Sequence, residues 1–387
     1  MFESLFNASL EQKCFPNCWK RANVIPIFKG KGEQTVVTNY RPVSLTSCVS
    51  KIFEKLIYKR LYNHLLDINF LYKFQSGFLP GHSTTCQLIE LCHSLSLALD
   101  NQMETSIVFC DISKAFDRVW HRGLLLKLGR CGVEGELYDW FVSYLHNRTQ
   151  RVCVDGQYSE WGLTSAGVPQ GSVLGPILFL IFINDITTGT ATNFRIFADD
   201  ASYFHSSRTS ATNHVVMQND TDSVANWANE WLITMSAPKT VNMIVSRRKN
   251  QQNLSLVMNN IAINLVDDHT HLGMTFSRDM TWSYHIERIV ASAFKRLGIL
   301  QKLKYKVKRN VLLRLYISYI RSLLDYGDVI YDGCTVNEKM LLESVQIKAG
   351  RIISGLTRSC SRENIYSELG WIPLCERRRR HKIIMFF

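Results

Sequence analysis

At 387 residues, with 46% apolar residues and a formal net charge of +12, the chain can bury a sizeable core and favours a polyanionic partner. Its longest apolar run, around Ile177 to Ile183, is too short for a bilayer span, which argues against a membrane protein. Eleven cysteines without a repeated spacing argue against a disulfide framework, and Cys14 and Cys18 lack the second pair that a zinc site needs.

Positive charge gathers in two stretches, residues 302–309 and 377–380. No signal-peptide pattern is recognised, and the expected location is intracellular, in the nucleus, the cytoplasm or both.

In chain order, Trp19 to Phe28 reads as a strand before the turn Lys29-Gly30-Lys31-Gly32. Asn39-Tyr40-Arg41-Pro42 reads as a loop. From Ser50, the spacing of Ile52, Phe53, Leu56, Ile57, Leu61 and Leu65 predicts a helix, and Ser83-Thr84-Thr85 caps another that runs to Leu99. Residues 105–111 read as a buried strand that ends on Asp111. Helices follow at Leu124 to Leu128 and Leu137 to Leu145, then a hairpin about Asp155-Gly156.

The turn Gly167 to Ser172 precedes an apolar helix over Leu174 to Ile186. Phe194 to Phe204 reads as a hairpin tipped by Asp199 and Asp200. A helix over Val215 to Trp231 and a strand over Val241 to Val245 come next, and from Trp282 the pattern is helical and basic. The fold class is α+β, a mixed-sheet centre with a helical C-terminal part.

The carboxylates carry the chemistry. Phe197-Ala198-Asp199-Asp200 sets two acids side by side, and adjacent acids repel unless a cation neutralises them. Asp111 ends a separate apolar strand, and on neighbouring antiparallel strands the three acids come within a metal's reach. Such a set suits Mg²⁺ and two-metal phosphoryl transfer. Taken alone, an Asp-Asp pair is more often a surface turn or a helix cap.

The flanking motifs reverse that balance. They are Asn39-Tyr40-Arg41-Pro42-Val43-Ser44-Leu45, Gln75-Ser76-Gly77-Phe78 with Gly81-His82-Ser83-Thr84, and Asp111 to Asp117. Gly167 to Pro176, Ile183-Asn184-Asp185-Ile186, His271-Leu272-Gly273-Met274 and Thr281 to Ile286 complete the series. With these motifs, residues 15–385 resemble the reverse transcriptase domain of non-LTR (LINE-type) retrotransposons, nearest to the jockey and CR1-like groups.

The resemblance implies a right-hand polymerase fold, with fingers and palm over residues 15–275 and a helical thumb-like region over residues 276–387. It implies an RNA-directed DNA polymerase that extends a DNA primer on an RNA template. Asp111 and Asp199 would ligate both metal ions, with Asp200 beside them and the Ile112 carbonyl as a further ligand. Mg²⁺ is the expected ion, with Mn²⁺ as an alternative, and dNTPs are the substrates.

Phe116 would lie under the incoming sugar and exclude a 2′-hydroxyl; by position alone it is equally an ordinary core aromatic. Gln170 and Gly171 would cradle nucleotide and template, and Arg41 would grip the triphosphate. Lys239 would act near the leaving pyrophosphate, although Ser236 stands where many relatives carry asparagine. Leu272-Gly273 would be the primer-grip turn, against the alternative of a plain hairpin. Residues 302–309 would follow the phosphates of an RNA–DNA hybrid, against the alternative of a solvated helix face.

The resemblance also implies an endonuclease domain elsewhere in a longer polyprotein. Rival readings are a degraded copy that binds RNA without polymerising, a group II intron-type maturase, and a structural nucleic-acid-binding protein.

Overall fold

Alternation along one strand decides the centre of the molecule. Every residue of Glu104–Cys110 is buried. Ile107 and Phe109 enter one hydrophobic core while Val108 and Cys110 enter another, as the two-residue repeat of a strand requires. The computed structural model describes residues 2–30, 32–248, 255–357 and 359–386. Lys31 of the expected turn, and Arg358 and Phe387 of the C-terminal region, lie outside the described residues.

The central strand is the middle of a five-stranded sheet ordered Asn264–Val266, Val241–Val245, Glu104–Cys110, Asp200–Ser207, Asn193–Phe197. Pairing is antiparallel except between the first two. One face packs on the helix Leu174–Ile183, which is buried throughout apart from half-buried Pro176. Leu88, Leu91, Leu95 and Leu99 of the helix Thr84–Asp100 lie in the core of the other face, and their i, i+3, i+4 spacing makes one apolar stripe. Ser83 caps that helix by accepting from the Cys86 amide at 3.1 Å.

The C-terminal helices Ser283–Leu303 and Val336–Ser354 contribute to this same second core, as do Met274 and Phe276 of the strand Met274–Ser277. A division at 275/276 passes through that strand.

A second sheet is ordered Tyr40–Leu45, Arg21–Phe28, Arg148–Val154, Gln157–Tyr158, with Gly162–Thr164 also paired to Arg148–Val154. The expected loop at residues 39–42 is corrected here, because Tyr40 to Pro42 already belong to a strand. Pro26 faces Pro42 across the pair, a position where neither residue need donate to the other.

The expected helix to Ile186 ends at Ile183 and tightens into a 3₁₀ turn, Asn184–Thr187. There the Asn184 side chain accepts from the Tyr72 amide at 2.7 Å and donates to Phe70 O at 2.7 Å.

The arginines of residues 377–380 are not a uniformly free basic patch. Arg377 makes a two-pronged contact with Asp325 at 2.9 and 3.0 Å, Arg378 meets Asp332 at 2.8 Å, and Lys382 reaches the same Asp332 at 2.5 Å. The whole is an α+β right-hand arrangement: a small sheet, a carboxylate-bearing central sheet, and a helical lobe behind it.

Candidate active site

The hairpin from Asn193–Phe197 to Asp200–Ser207 turns on two residues, Ala198 and Asp199, closed by the Phe197–Asp200 pair. Ala198 takes φ 57°, a left-handed conformation that alanine seldom adopts and that concentrates at functional sites. The neighbouring register sets Cys110 opposite Ala201, so Asp111 leaves its strand beside Asp200. The register thus puts Asp111 and Asp200 at adjoining strand ends, with Asp199 in the turn beside them.

Their electrostatics follow from crowding. The Asp199 and Asp200 side chains reach solvent, yet the protein packed round their other side desolvates them. Asp200 is pushed up to about 6 by that desolvation and then by the charges of Asp199 and Asp111. Asp199 is also raised, by desolvation first; a backbone hydrogen bond and the Arg41 guanidinium oppose the shift, and Asp111 adds to it. Asp111 Oδ2 is buried and, among the described residues, accepts no hydrogen bond; Lys239 Nζ is an ionic neighbour at 3.8 Å.

The three carboxylates stand further apart than the 4.8 Å that encloses Asp325, Asp328 and His381. Excess negative charge, an orphaned carboxylate oxygen and all-oxygen donors together fit a hard divalent cation.

The loop that brings Lys239 is fastened through the backbone. The Ser236 amide donates to Asp111 O at 2.9 Å, the Thr240 amide donates to Ser236 O at 2.8 Å, and Thr240 Oγ1 accepts from the Asp111 amide at 3.2 Å. Ile112 bridges Met235 across this loop, its side chain is buried, and among the described residues its carbonyl accepts no hydrogen bond.

The nucleotide-side residues are stitched together by close backbone approach. The Val168 amide donates to Phe116 O and the Gly167 amide to Val119 O, both at 2.8 Å. A Cβ on Gly167 would lie 2.6 Å from Asp117 O, and one on Gly171 would lie 2.5 Å from Ser44 O. Glycine is required at both places.

Gln170 donates its side-chain amide to Asp117 Oδ1 at 3.0 Å, and its carbonyl accepts from the Ser44 amide at 2.7 Å. The loop is thereby docked on the strand that carries exposed Arg41. Phe116 is half-buried, stacked on Phe179 at 4.6 Å and edge-on to Phe78 at 5.8 Å.

Two residues that matter here were missed from sequence. Glu54 is fully buried in the helix Cys48–Asp67, and its Oε2 accepts from the Val173 and Leu174 amides at 2.8 and 3.1 Å. It caps the apolar helix from outside and fixes the end of the 167–173 loop. Gln75, buried with 3% exposure, accepts from the Gly77 amide at 2.8 Å and the Ala198 amide at 3.2 Å. The Gln75-Ser76-Gly77-Phe78 motif was visible, but nothing in it indicated a contact with the acidic turn.

The turn Leu272-Gly273 joins Asp268–His271 to Met274–Ser277, with φ 46° and 82° at its two residues. The Tyr326 hydroxyl bonds to Leu272 O and, at 3.0 Å, to Thr84 Oγ1, while Arg288 donates to Gly273 O at 2.8 Å. Of the basic stretch, Lys302, Lys306 and Lys308 are exposed and Tyr305 is 88% exposed; Arg309 is paired with Glu368 at 2.7 Å. No helix among the described residues is long and apolar enough to cross a membrane.

Residues 28–298 match the family model described as reverse transcriptase (RNA-dependent DNA polymerase). The chain is similar to the RNA-directed DNA polymerase from mobile element jockey of Drosophila melanogaster, at 32% identity over 95% of this chain and 42% of that protein. It is also similar to the probable RNA-directed DNA polymerase from transposon BS of the same organism, at 28% identity over 97% of this chain and 43% of that one. The corresponding protein from transposon X-element, again from Drosophila melanogaster, is 27% identical over 91% of this chain and 39% of its own length. The chain thus spans well under half the length of these curated relatives.

Proposed function

Because the chain belongs to the reverse transcriptase (RNA-dependent DNA polymerase) family, we propose that it is the polymerising part of a non-LTR retrotransposon protein. It extends a DNA primer on an RNA template with dNTPs. The observation that carries this reading is the placement of Asp111, Asp199 and Asp200 at adjoining strand ends, crowded enough that desolvation and the neighbouring acids push Asp200 up.

The family depends on divalent metal, and Asp111, Asp199 and Asp200 would hold it, with the free Ile112 carbonyl beside them; Mg²⁺ fits the all-oxygen set and Mn²⁺ could replace it. When bound, the ions lower the pKa of a 3′-hydroxyl and offset charge on the transferred and leaving phosphate oxygens. The protein's own groups bind and orient. Arg41, whose charge already acts on Asp199, takes the triphosphate, and Lys239 neutralises charge on the leaving side. Phe116, held between Phe179 and Phe78, sets the sugar against a ring edge that a 2′-hydroxyl would strike. Gln170 and Gly171 present backbone and amide to the nucleotide and template.

In this reading residues 15–275 act as fingers and palm and residues 276–387 as a thumb, whose exposed lysines follow the hybrid's phosphates without reading sequence. An endonuclease partner, if joined to this chain in a longer polyprotein, supplies the primer end. Primer extension on poly(rA)/oligo(dT) with and without Mg²⁺ tests the proposal. Metal-dependent incorporation of dTTP is expected, and none at any metal concentration refutes it.

A further inference from the structure

The segment Phe74–Phe78 lies along the outer edge of the carboxylate hairpin as a short strap. The Ile196 amide donates to Phe74 O at 3.1 Å, and the Ser76 amide donates to Ile196 O at 2.9 Å, a parallel bridge centred on Gln75 and Ile196. Two residues further on, Gly77 rests directly on the turn, where a Cβ would lie 2.3 Å from the Ala198 amide nitrogen. Gln75 Oε1 then accepts from both the Gly77 and Ala198 amides. Ala198 is the left-handed residue that aims Asp199, and a hairpin tip in that conformation needs outside support to persist.

We propose that Gln75 is a positioning residue for the metal-binding carboxylates: its single amide oxygen locks the left-handed Ala198 peptide and so fixes where Asp199 and Asp200 stand. The inference rests on the reading of Asp199 as a metal ligand. The strap acts on the carboxylates as outer hydrogen bonds act on any ligand set. It removes conformations in which the donors point away, so the ion meets a prepared site. The strap's other end is tied down too, since Asn184 holds the Phe70 and Tyr72 backbone just before it. Phe78, at φ 59°, turns its ring edge-on to Phe116, so the strap supports the metal and sugar sides together.

The test is Mn²⁺ binding to the full chain, followed by electron paramagnetic resonance with no nucleotide present. Gln75→Met keeps the volume and removes the acceptor, and it should weaken Mn²⁺ binding about ten-fold or more, the usual effect of losing a ligand's supporting hydrogen bond. Gln75→Glu, which keeps an acceptor oxygen, should bind more tightly than Gln75→Met. Wild-type affinity in Gln75→Met, with binding lost in Asp199→Asn, overturns the positioning role and leaves the metal site standing. Undiminished binding in Asp199→Asn overturns the metal reading itself. Hydrogen exchange on the unmodified chain supplies an independent check: the Ala198 amide should be as protected as that of Ile196, and rapid exchange there refutes the clamp whatever the variants do.

Discussion

Glu54 offers the sharpest stability test. Its carboxyl is fully buried and accepts from the Val173 and Leu174 amides at 2.8 and 3.1 Å, from the Tyr144 hydroxyl at 3.4 Å and from Ser50 Oγ at 3.3 Å. Glu54→Ala strands two backbone amides at the buried start of the helix Leu174–Ile183. Hydroxyls can rotate toward other acceptors, but amides cannot. At about 1–3 kcal/mol for each unsatisfied buried donor, the two amides set a loss of about 4 kcal/mol. Glu54→Gln retains one acceptor oxygen and should lose about 1–2 kcal/mol, close to the worth of one cap. Urea unfolding followed by tryptophan emission measures both, with buried Trp140 as a reporter in the same core. A Glu54→Ala chain within 1 kcal/mol of wild type would show that the capping argument is wrong.

Three further outcomes are expected. Asp199→Asn should reduce primer extension by several orders of magnitude, yet melt no lower than wild type in the absence of metal, because it removes a repelling charge from beside Asp200; circular dichroism melts check this. Phe116→Ala should admit ribonucleotides, raising the rNTP-to-dNTP incorporation ratio at least ten-fold in single-turnover extension, while an unchanged ratio removes Phe116 from the sugar side. For pH, Asp200 in the folded chain is raised from 3.8 to about 6, so the metal-free fold binds more protons than the unfolded chain between those values. This group's contribution is therefore present below pH 3.8 and is lost as pH rises through about 6, whereas Mn²⁺ affinity should rise over the same interval; calorimetric melts and binding titrations against pH read both signs.

Most of the carboxylate centre was legible because it depends on local signals. Asp111 follows an apolar run of strand length, and Asp199-Asp200 sits between two others, so strand ends and acids could be named together. Glu54 was not legible: in its helix it reads as one more polar position, and its role exists only through residues 173 and 174, 119 and 120 positions away. Gln75 was hidden for the same reason, since its partner Ala198 is 123 positions distant. Tyr40 to Pro42 read as loop because proline signals a break, a signal that the facing proline of a paired strand cancels. The ion pairs of Arg377 and Arg378 were hidden because sequence shows no sign of Asp325 and Asp332 waiting for them.

The strand Glu104–Cys110 has a consequence for how the chain comes apart. It is a party wall: Val108 and Cys110 complete one core, while Ile107 and Phe109 complete the other. Neither lobe can melt without exposing one side of the wall, so the two should unfold in a single cooperative step. A chain cut after residue 275 would strip Phe276 and the helices Ser283–Leu303 and Val336–Ser354 from the core that Ile107, Phe109 and the leucine stripe of Thr84–Asp100 share, leaving that core half-covered. Such a fragment should associate or be digested, even with every carboxylate of the site intact.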